Sequence, residues 1–343
     1  MNLEHYNYNL PTELIAQEPA EERDQSRLMI LLPDSDSVQH RKFSNLPEFL
    51  KANDLLVIND TKVFPARLIG KKEPSGGKVE LLLLRSLENS NWEALSRPAK
   101  SLRDGTGVLF GNGLIRAEII EKGTNGCVQV HLESSMNIED AIDKIGKTPL
   151  PPYIKREPVS SDHDRYQTIY AQSRGSVAAP TAGLHFTQSM LDELSSRGVK
   201  TAAVTLHVGI GTFRPLSASE AQKNTLHNEY CTVPESTVLL VRKCREKGGK
   251  IFAVGTTTAR ALETASLSGE LKSYYGWTDL FIKPPYRFRS VDALVTNFHL
   301  PCSSLLLMVC AFAGESRILD TYREAINERY RFYSYGDAML VIR

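Results

Sequence analysis

Two segments near the middle of the chain each place one histidine among glycine, proline and threonine. They span residues 176–187, with His185, and 206–215, with His207. Glycine lets a backbone approach a ligand closely, and proline stiffens a turn. Histidine has the unperturbed pKa closest to neutral pH, which suits it to proton transfer. Such loops on a rigid scaffold are typical positions for catalysis. The alternative for each loop is a tight turn around a buried structural histidine.

Two more histidines and two carboxylates extend this set of candidates. His227 lies two residues before Glu229, so an imidazole and a carboxylate can share a proton there. His299 is a further candidate, with a structural role as its alternative. Asp279 lies at what we predict is the start of an apolar strand, where it is either a cap or a site residue.

The segment 254–258, Val-Gly-Thr-Thr-Thr, follows a predicted strand and opens a predicted helix. Free N–H groups at a helix N-terminus, together with threonine hydroxyls, favour anionic oxygens. An ordinary helix cap is the alternative. The segment is no P-loop, because the second glycine and the lysine are missing. Gly209 and Gly211 form only half of a dinucleotide-binding motif, which disfavours a Rossmann protein and a conventional methyltransferase.

Several other classes of protein are disfavoured by what the sequence lacks. It contains no HExxH motif and no cysteine cluster, so we predict no metal site. The five cysteines show no CxxC spacing, which indicates reduced thiols in a cytosol. The longest apolar run, 305–313, is shorter than the roughly 20 residues that span a bilayer. The chain starts without the pattern of a signal peptide, and we expect no membrane partner.

The net charge of +1 excludes a broadly basic surface, so any contact with a nucleic acid requires a local patch. The segment 283–289 interleaves Lys283, Arg287 and Arg289 with tyrosine and phenylalanine. Cations bind phosphates, and aromatic faces stack on unstacked RNA bases. A solvated basic loop is the alternative. Arg97 and Lys100 are positioned in the sequence to extend such a patch.

The elements that must position these residues follow an α/β pattern in most of the chain. Thr187 is a predicted N-cap for a helix that Gly198 ends, and Ser217 with Glu220 forms a predicted capping box. Helices are also predicted at 238–245 and 303–331. Strands are predicted at 54–59, 201–206, 251–254, 292–298 and 338–342. Since strands alternate with helices, we expect a mainly parallel sheet.

Residues 63–147 have a different pattern, with short strand-like runs separated by glycine and asparagine turns. Strands are predicted at 78–84, 92–95, 108–110, 114–120 and 128–132, and a hairpin turn at 111–113. Several short strands at close spacing indicate a small β-barrel or sandwich. A proline-rich segment, 148–153, then marks a boundary. We therefore predict a main domain formed by 1–62 and 148–343, with 63–147 inserted into it.

An ordered series of motifs carries a specific resemblance over nearly the whole chain, from residue 8 onward. The motifs are Phe-Pro-Ala-Arg67-Leu, the loops 176–187 and 206–215, and the segments 254–260, 278–282, 296–301 and 330–339. Together they resemble the S-adenosylmethionine:tRNA ribosyltransferase-isomerase family of queuosine biosynthesis. One departure is Asn224, because the family usually has a second histidine at this position.

The resemblance implies an α/β-barrel-like main domain with an inserted small β-barrel. It implies transfer and isomerisation of the ribosyl part of S-adenosylmethionine onto 7-aminomethyl-7-deazaguanine at the wobble position of a tRNA anticodon. The products would be epoxyqueuosine-tRNA, adenine and methionine. S-adenosylmethionine would be a co-substrate, with no prosthetic group. A tRNA with a GUN-type anticodon, a monomer and a cytoplasmic location are expected. Another nucleoside- or sulfonium-dependent transferase and a non-catalytic RNA-binding protein are the alternatives.

On these motif positions we predict His185 or His207 as the proton shuttle and Asp279 or Glu229 as its orienting carboxylate, with His227 also in the catalytic set. Thr256 and Arg260 are predicted to hold an anionic group. The remaining predicted substrate-binding residues are Pro180, Thr181, Gly183, Phe186, Gly209, Gly211, Gly255, Thr257 and His299. The predicted tRNA-binding residues are Lys283, Arg287, Arg289, Arg97 and Lys100.

Overall fold

A computed structural model describes residues 2–33, 37–209, 211, 215–223 and 225–343. Parts of the predicted histidine loop, Ile210 and 212–214, lie outside the described residues. Asn224, at which the sequence departs from the family pattern, also lies outside them.

The described residues contain the following elements in chain order. The strands are β1 (Arg27–Leu31), β2 (Val38–Lys42), β3 (Leu55–Asn59), β4 (Thr61–Val63), β5 (Arg67–Lys72), β6 (Lys78–Ser86), β7 (Asn91–Arg97), β8 (Gly107–Phe110), β9 (Ile115–Lys122), β10 (Cys127–Ser134), β11 (Ser173–Ser176), β12 (Lys200–Leu206), β13 (Thr225–Val233), β14 (Ile251–Val254), β15 (Tyr274–Leu280), β16 (Ala293–Asn297) and β17 (Ala338–Ile342). The α-helices are α1 (Ile138–Ile145), α2 (Asp162–Arg165), α3 (Gln188–Ser196), α4 (Ala218–Gln222), α5 (Glu235–Glu246), α6 (Thr256–Thr264), α7 (Ser304–Ala313) and α8 (Glu315–Asn327).

A large sheet has the order β15-β13-β12-β3-β14-β16-β17-β1-β2. Its central strands β12, β3, β14 and β16 are parallel to one another. The pairs β13–β12, β13–β15, β16–β17 and β1–β2 are antiparallel, so the prediction of a mainly parallel sheet is wrong towards both edges. Antiparallel strands accept one solvated face. Accordingly, β15 at the edge exposes alternate residues, whereas β3 and β16 are buried throughout.

Both faces of the central sheet are covered, which explains why its strands read as continuous apolar runs. On one face the core includes Val241 of α5, Leu262 of α6, Leu307 of α7 and Tyr322 of α8. On the other face it includes Met190 and Leu194 of α3. Thr187 caps α3 by accepting a hydrogen bond from the Met190 N–H, as predicted.

The predicted helix 303–331 is interrupted and is shorter than expected. It consists of α7 and α8, which meet at Gly314, where φ is 94°. This left-handed backbone favours glycine, and no L side chain fits it easily. The helical region ends at Asn327.

Strands β5–β10 form a closed barrel in the order β10-β7-β6-β5-β8-β9, and each neighbouring pair is antiparallel. Inward-facing residues of these strands form a core of their own, which α1 extends through Ala141 and Ile142. The predicted turn at 111–113 joins β8 to β9, with Asn112 in the left-handed region.

The barrel is inserted between β4 and β11, which pair with each other in a parallel two-stranded sheet. Mutual backbone hydrogen bonds between Arg67 and Lys147 close the base of the insertion. The predicted fold class, an α/β main domain with an inserted small β-barrel, is confirmed. The boundaries at 62/63 and 147/148 stay a prediction.

Candidate functional site

The parallel strands at the centre of the sheet end at one edge, and polar groups gather there. Asn59 ends β3, Gly255 follows β14, and Asn297 ends β16. Ligands of open α/β sheets bind beyond the carboxyl ends of the strands. Two cavities lie at this edge, and Thr256, Thr257 and Leu305 line both of them.

The larger cavity has a volume of about 150 Å³. One wall is apolar and includes Ile282, Leu305 and Met308. The polar wall combines the N-terminus of α6 with charged side chains from α4, β13 and α6. The charged and polar residues of the cavity are Glu220, Lys223, Thr225, His227, Glu229, Thr256, Thr257, Arg260 and Ser304. The cavity therefore offers an anion-attracting helix terminus, two carboxylates, two cations and one histidine.

Arg260 and Glu229 form a buried ion pair in the wall of this cavity. The Arg260 Nη1 lies 2.5 Å from Glu229 Oε2, and its Nη2 donates to the carbonyls of Thr278 and His227. Glu229 Oε1 accepts a hydrogen bond from the Gly209 N–H at 2.8 Å. Glu229 neutralises the charge of Arg260, and the role of Arg260 as a ligand of an anionic group stays a prediction. The Arg260 Nε has no hydrogen-bond partner among the described residues.

His227 is the histidine that lines the larger cavity. Its side chain is 74 % exposed, and its Nε2 lies 3.7 Å from Glu220 Oε1. The predicted capping box is present at α4 and fixes Glu220, whose Oε2 accepts hydrogen bonds from the Ser217 N–H and hydroxyl. An imidazole beside an anchored carboxylate is an arrangement suited to acid–base chemistry.

The smaller cavity, of about 50 Å³, lies on the other side of Thr256 and Thr257. The predicted residues Pro180, Thr181, Gly255 and His299 line it. His299 Nε2 is 2.8 Å from the Thr296 hydroxyl. Burial lowers the pKa of His299 to about 3, so this imidazole is neutral at physiological pH.

The two histidine loops of the sequence are joined to each other beside these cavities. The Ser176 hydroxyl donates to the Ala178 carbonyl at 2.7 Å and accepts from the Val208 N–H at 2.9 Å. Asn59 ties the second loop to the helix, because its amide group donates to the Leu206 carbonyl and to the Thr257 hydroxyl. The two loops therefore form one region of the structure.

His185 is enclosed in a completed hydrogen-bond network away from both cavities. Its Nδ1 lies 2.7 Å from the Ser26 hydroxyl and its Nε2 lies 3.2 Å from Asn297 Nδ2. The Asn297 Oδ1 accepts from Thr181, which orients the amide so that His185 Nε2 is the acceptor. Burial lowers the pKa of His185 to about 3. The role of His185 as a proton shuttle stays a prediction; the geometry shows its imidazole bonded to Asn297, an amide that Thr181 orients.

His207 points towards another surface. Its Nδ1 is 2.8 Å from the Thr61 hydroxyl, and its ring stacks on Tyr230 at 6.2 Å between centroids. Burial lowers its pKa, partly opposed by the charge of Asp60. It lines neither cavity, whereas the adjacent Val208 lines the smaller one. His207 therefore stays a candidate at the margin of the site.

Asp279 does not reach the cavities. It lies near the end of β15, not at the start of a strand, and its side chain is exposed. The preceding residue, Thr278, is buried, and its carbonyl accepts a hydrogen bond from Arg260 Nη2. Because neighbouring strand residues point to opposite faces, Asp279 faces away from Arg260, and its role as an orienting carboxylate stays a prediction. Glu220 and Glu229 are the carboxylates that the structure brings to the cavity.

The other predicted residues divide between lining and packing positions. Gly211 lines the larger cavity beside His227. Gly183 is packed so tightly that an added Cβ would lie 2.2 Å from the Tyr170 hydroxyl. Phe186 packs edge-on against Phe43 at 5.1 Å. Gly183 and Phe186 therefore shape the first loop without lining either cavity.

Two of the predicted tRNA-binding cations are bound within the protein. Lys283 Nζ donates to the carbonyls of Ala221 and Lys223, at the end of α4. Arg289 Nη1 donates to the carbonyls of Ser266 and Leu267, just after α6. These side chains cap helix ends, and their assignment to tRNA binding stays a prediction.

Arg289 is itself exposed, and so are the remaining three predicted cations. Arg287 lies between the two capping residues, and Arg97 and Lys100 lie on the barrel. Arg97 also lines a cleft of about 410 Å³ between the barrel and the proline-rich segment 149–152. These cations are available to an external partner.

Two residues that sequence reasoning missed have central positions. Asn59 is fully buried and connects Leu206, Thr61 and Thr257, although its Asn-Asp sequence indicates only a turn. Glu220 was identified only as a capping residue. The capping box placed it correctly, but its second oxygen, facing His227, depends on β13, which was not predicted as a strand.

Within the described ranges, no three histidine, cysteine, aspartate or glutamate side chains are grouped so that they can hold a metal ion. The same part of the chain contains no helix that is long and apolar enough to span a bilayer.

Fold and site together define an α/β protein with an inserted β-barrel, whose polar cavity holds a histidine, carboxylates and a helix N-terminus. The family model described as "Queuosine biosynthesis protein" matches residues 3–341. The chain belongs to this family.

Proteins named S-adenosylmethionine:tRNA ribosyltransferase-isomerase are similar to this chain over its whole length. Those of Pelotomaculum thermopropionicum and Caldanaerobacter subterraneus are each 49 % identical over 343 residues, covering 100 % of both chains. The crystal structure of S-adenosylmethionine tRNA ribosyltransferase from Thermotoga maritima is 38 % identical, with a TM-score of 0.57. The similarity covers 98 % of this chain and 100 % of that one.

Proposed function

We propose that this chain is an S-adenosylmethionine:tRNA ribosyltransferase-isomerase. It transfers the ribosyl part of S-adenosylmethionine to 7-aminomethyl-7-deazaguanine in tRNA and isomerises it, with release of adenine and methionine. The observation that carries the proposal is the full-length identity of 49 % with relatives of this name, combined with the polar double cavity.

S-adenosylmethionine has an anionic carboxylate and a cationic sulfonium, and the cavity walls suit both charges. The first N–H groups and hydroxyls of Thr256 and Thr257 face both cavities and suit the carboxylate. Glu220, also in the wall, suits a nearby cation. A ligand with two ends can occupy both cavities, since they share these threonines.

The reaction requires a base that removes a proton from a carbon next to the sulfonium, because the sulfonium acidifies it. We assign this role to His227, which is the histidine in the larger cavity and is accompanied by Glu220 at 3.7 Å. A positioned general base contributes about 10²–10⁴-fold to a rate. Glu229 and Arg260 hold the Gly209 backbone and thereby the shape of the cavity.

The partner is a tRNA, and we propose one with a GUN-type anticodon. A monomer in the cytoplasm, and a domain boundary at residues 62/63 and 147/148, complete the proposal. The exposure of Arg97 and Lys100 supports our proposal that part of the RNA contact lies on the barrel.

Incubation with S-adenosylmethionine and tRNA carrying 7-aminomethyl-7-deazaguanine tests the proposal. We expect equimolar adenine and methionine, measured by chromatography, and a mass increase of the tRNA. Release of only one product would indicate another sulfonium-dependent transferase. Binding of tRNA without either product would indicate a non-catalytic RNA-binding protein.

A further inference from the structure

Three aromatic side chains are exposed on one face of the β13–β15 strand pair. Tyr230 is 37 % exposed, Trp277 is 49 % exposed and Tyr275 is 63 % exposed. Among the described residues, every large exposed aromatic side chain lies in this group, which we call the aromatic face. Clustered exposed apolar groups of this kind mark interaction sites, whereas scattered single ones are ordinary.

Strand register explains why the three rings share one face. Tyr230 pairs directly with Trp277, and Thr232 pairs with Tyr275. Residues two apart on a strand point to the same side. The Tyr230 and Trp277 rings meet edge to face, with centroids 5.5 Å apart. The sheet order places β15 at an edge, so no further strand of the described part of the chain pairs with it on that side.

The aromatic face is bordered by a histidine at one end and by an arginine of the barrel at the other. Towards the candidate site, His207 stacks on Tyr230 with 19° between the ring planes. An added Cβ on Gly175 would lie 2.7 Å from His207 Nε2, so glycine leaves the imidazole its space. Towards the barrel, the Arg85 guanidinium lies 5.2 Å from the centre of the Trp277 ring, and Glu93 anchors it at 2.5 Å.

A row of aromatic rings beside an arginine has the chemistry that recognises single-stranded RNA. Unstacked bases stack on aromatic faces, and the rings themselves supply this contact, because the charge of Arg85 is already paired with Glu93. Three exposed rings on one face, with the His207 ring stacked against the first of them, form a continuous stacking surface. This continuity of ring faces favours an RNA loop as the occupant.

We propose that unstacked bases of the tRNA anticodon loop, flanking the modified nucleotide, stack on Tyr230, Tyr275 and Trp277. The inference rests on the proposed function for the identity of the RNA. The stacking platform lies on the face of β13 and β15 opposite to Glu229 and Thr278, next to Arg85 of the barrel, so it orders the loop while exposed cations hold the backbone.

Tryptophan fluorescence tests the contact directly, because the chain contains two tryptophans and the other one, Trp92, is buried in the barrel. An anticodon stem-loop RNA, added without S-adenosylmethionine, should quench the emission and shield it from acrylamide. In the variant Trp277→Phe the RNA-induced change should disappear, while affinity for the RNA stays close to that of the wild type.

Truncation measures how much stacking contributes to the binding free energy. Trp277→Ala should weaken RNA binding about 5- to 150-fold, which corresponds to 1–3 kcal/mol per stacked base. Because stacking involves no counterion, the slope of log K against log salt should stay unchanged. Leu239→Ala, an exposed apolar truncation on α5, serves as the matched control and should bind RNA normally. Thermal unfolding should be similar for all three variants.

Two results would overturn the inference while leaving the proposed function intact. In the first, wild-type protein is active and binds RNA, but emission is unchanged and Trp277→Ala binds RNA normally. In the second, sedimentation shows that Trp277→Ala dissociates a self-associated wild type without any change in RNA affinity, which would assign the face to contact between copies. Failure of the proposed function is separate, since it appears as absence of adenine and methionine from the wild type.

Discussion

His185 and His227 lie in segments of similar polarity but have opposite surroundings. His185 is 5 % exposed, and both of its ring nitrogens have partners. His227 is 74 % exposed and borders a cavity beside Glu220. The imidazole of His185 is satisfied, because both ring nitrogens have partners within the protein. The imidazole of His227 lies at the wall of a cavity that can hold a ligand.

This comparison shows that a polar loop around a histidine does not by itself identify that histidine as catalytic. A satisfied buried imidazole is neutral and rigid, so it positions other groups. An imidazole that can exchange protons needs access to substrate and a nearby partner. The same distinction separates Lys283 and Arg289, which cap helix ends, from Arg97 and Lys100, which face solvent.

The largest effect on kcat is expected at His227, which borders the larger cavity. His227→Ala should lower kcat by about 10²–10⁴-fold with little change in the free energy of unfolding, because the side chain is exposed. Glu220→Gln should cause a smaller loss by removing the charge beside the imidazole. Adenine release under saturating substrate measures both. Near-normal kcat in His227→Ala, with a large loss in His207→Ala, would move the base to His207.

The buried ion pair should dominate stability in the cavity wall. Glu229→Ala leaves the Arg260 charge buried without its partner, which costs about 3–5 kcal/mol. The double variant Glu229→Ala with Arg260→Met should recover part of this loss, because it also removes the charge. Denaturant unfolding measures the three proteins. Equal stability of Glu229→Ala and the wild type would show that the pair contributes little.

Among the buried hydrogen-bond partners of His185, the variant His185→Ala leaves groups such as the Ser26 hydroxyl unsatisfied. This change should lower the free energy of unfolding by about 1–3 kcal/mol. The folded fraction should keep a kcat within a few-fold of the wild type. A loss as large as that expected for His227→Ala, in a protein of normal stability, would contradict a purely positioning role.

The two buried histidines, His185 and His299, also predict a pH dependence of stability. His185 and His299 have pKa values of about 3 when folded and an ordinary value of 6.5. Below pH 6.5 the unfolded chain binds protons that the folded protein does not, so stability falls as pH decreases from 6.5 towards 3. His185→Gln should reduce the slope by up to about 1.4 kcal/mol per pH unit. Unfolding midpoints between pH 7.5 and 5 test this, and identical slopes would contradict it.

The smallest expected effects, on the salt dependence of tRNA binding and on the melting temperature, concern the exposed and the capping cations. Arg97→Ala with Lys100→Ala should flatten the salt dependence of log K for tRNA by about 0.7–0.9 for each phosphate that these cations neutralise in the wild type. Lys283→Ala with Arg289→Ala should leave this slope unchanged and lower the melting temperature instead, because helix caps are removed. A reversed pattern would restore the segment 283–289 as the RNA-binding surface.

Local features of the fold were predictable from the sequence where short-range chemistry determines them. Thr187 and the pair Ser217 and Glu220 form the predicted caps. The short-strand pattern indicated the barrel. Strand β13 was missed, and the strand predicted to start at Asp279 overlaps only the end of β15, since exposed aromatic residues such as Trp277 obscure the usual alternation of apolar and polar residues.

The site was predictable in its residue types but not in its geometry. The position of His227 at the cavity depends on β13 pairing with β12 and β15, a long-range arrangement that no local pattern specifies. Asn59 connects β3 to a loop 147 positions away and to Thr257, 198 positions away. Such interactions arise from topology, so reading short motifs cannot identify them.

The pairing of β1 with β17 has a consequence for how the chain is made. The Arg27 N–H donates to Asp337, 310 positions later in the chain. During synthesis, β1 must therefore wait until nearly all of the following residues have left the ribosome. The barrel needs only neighbouring strands and can fold while translation continues. In the nascent protein, the barrel is then the first part to fold, and the large sheet of the main domain is completed last.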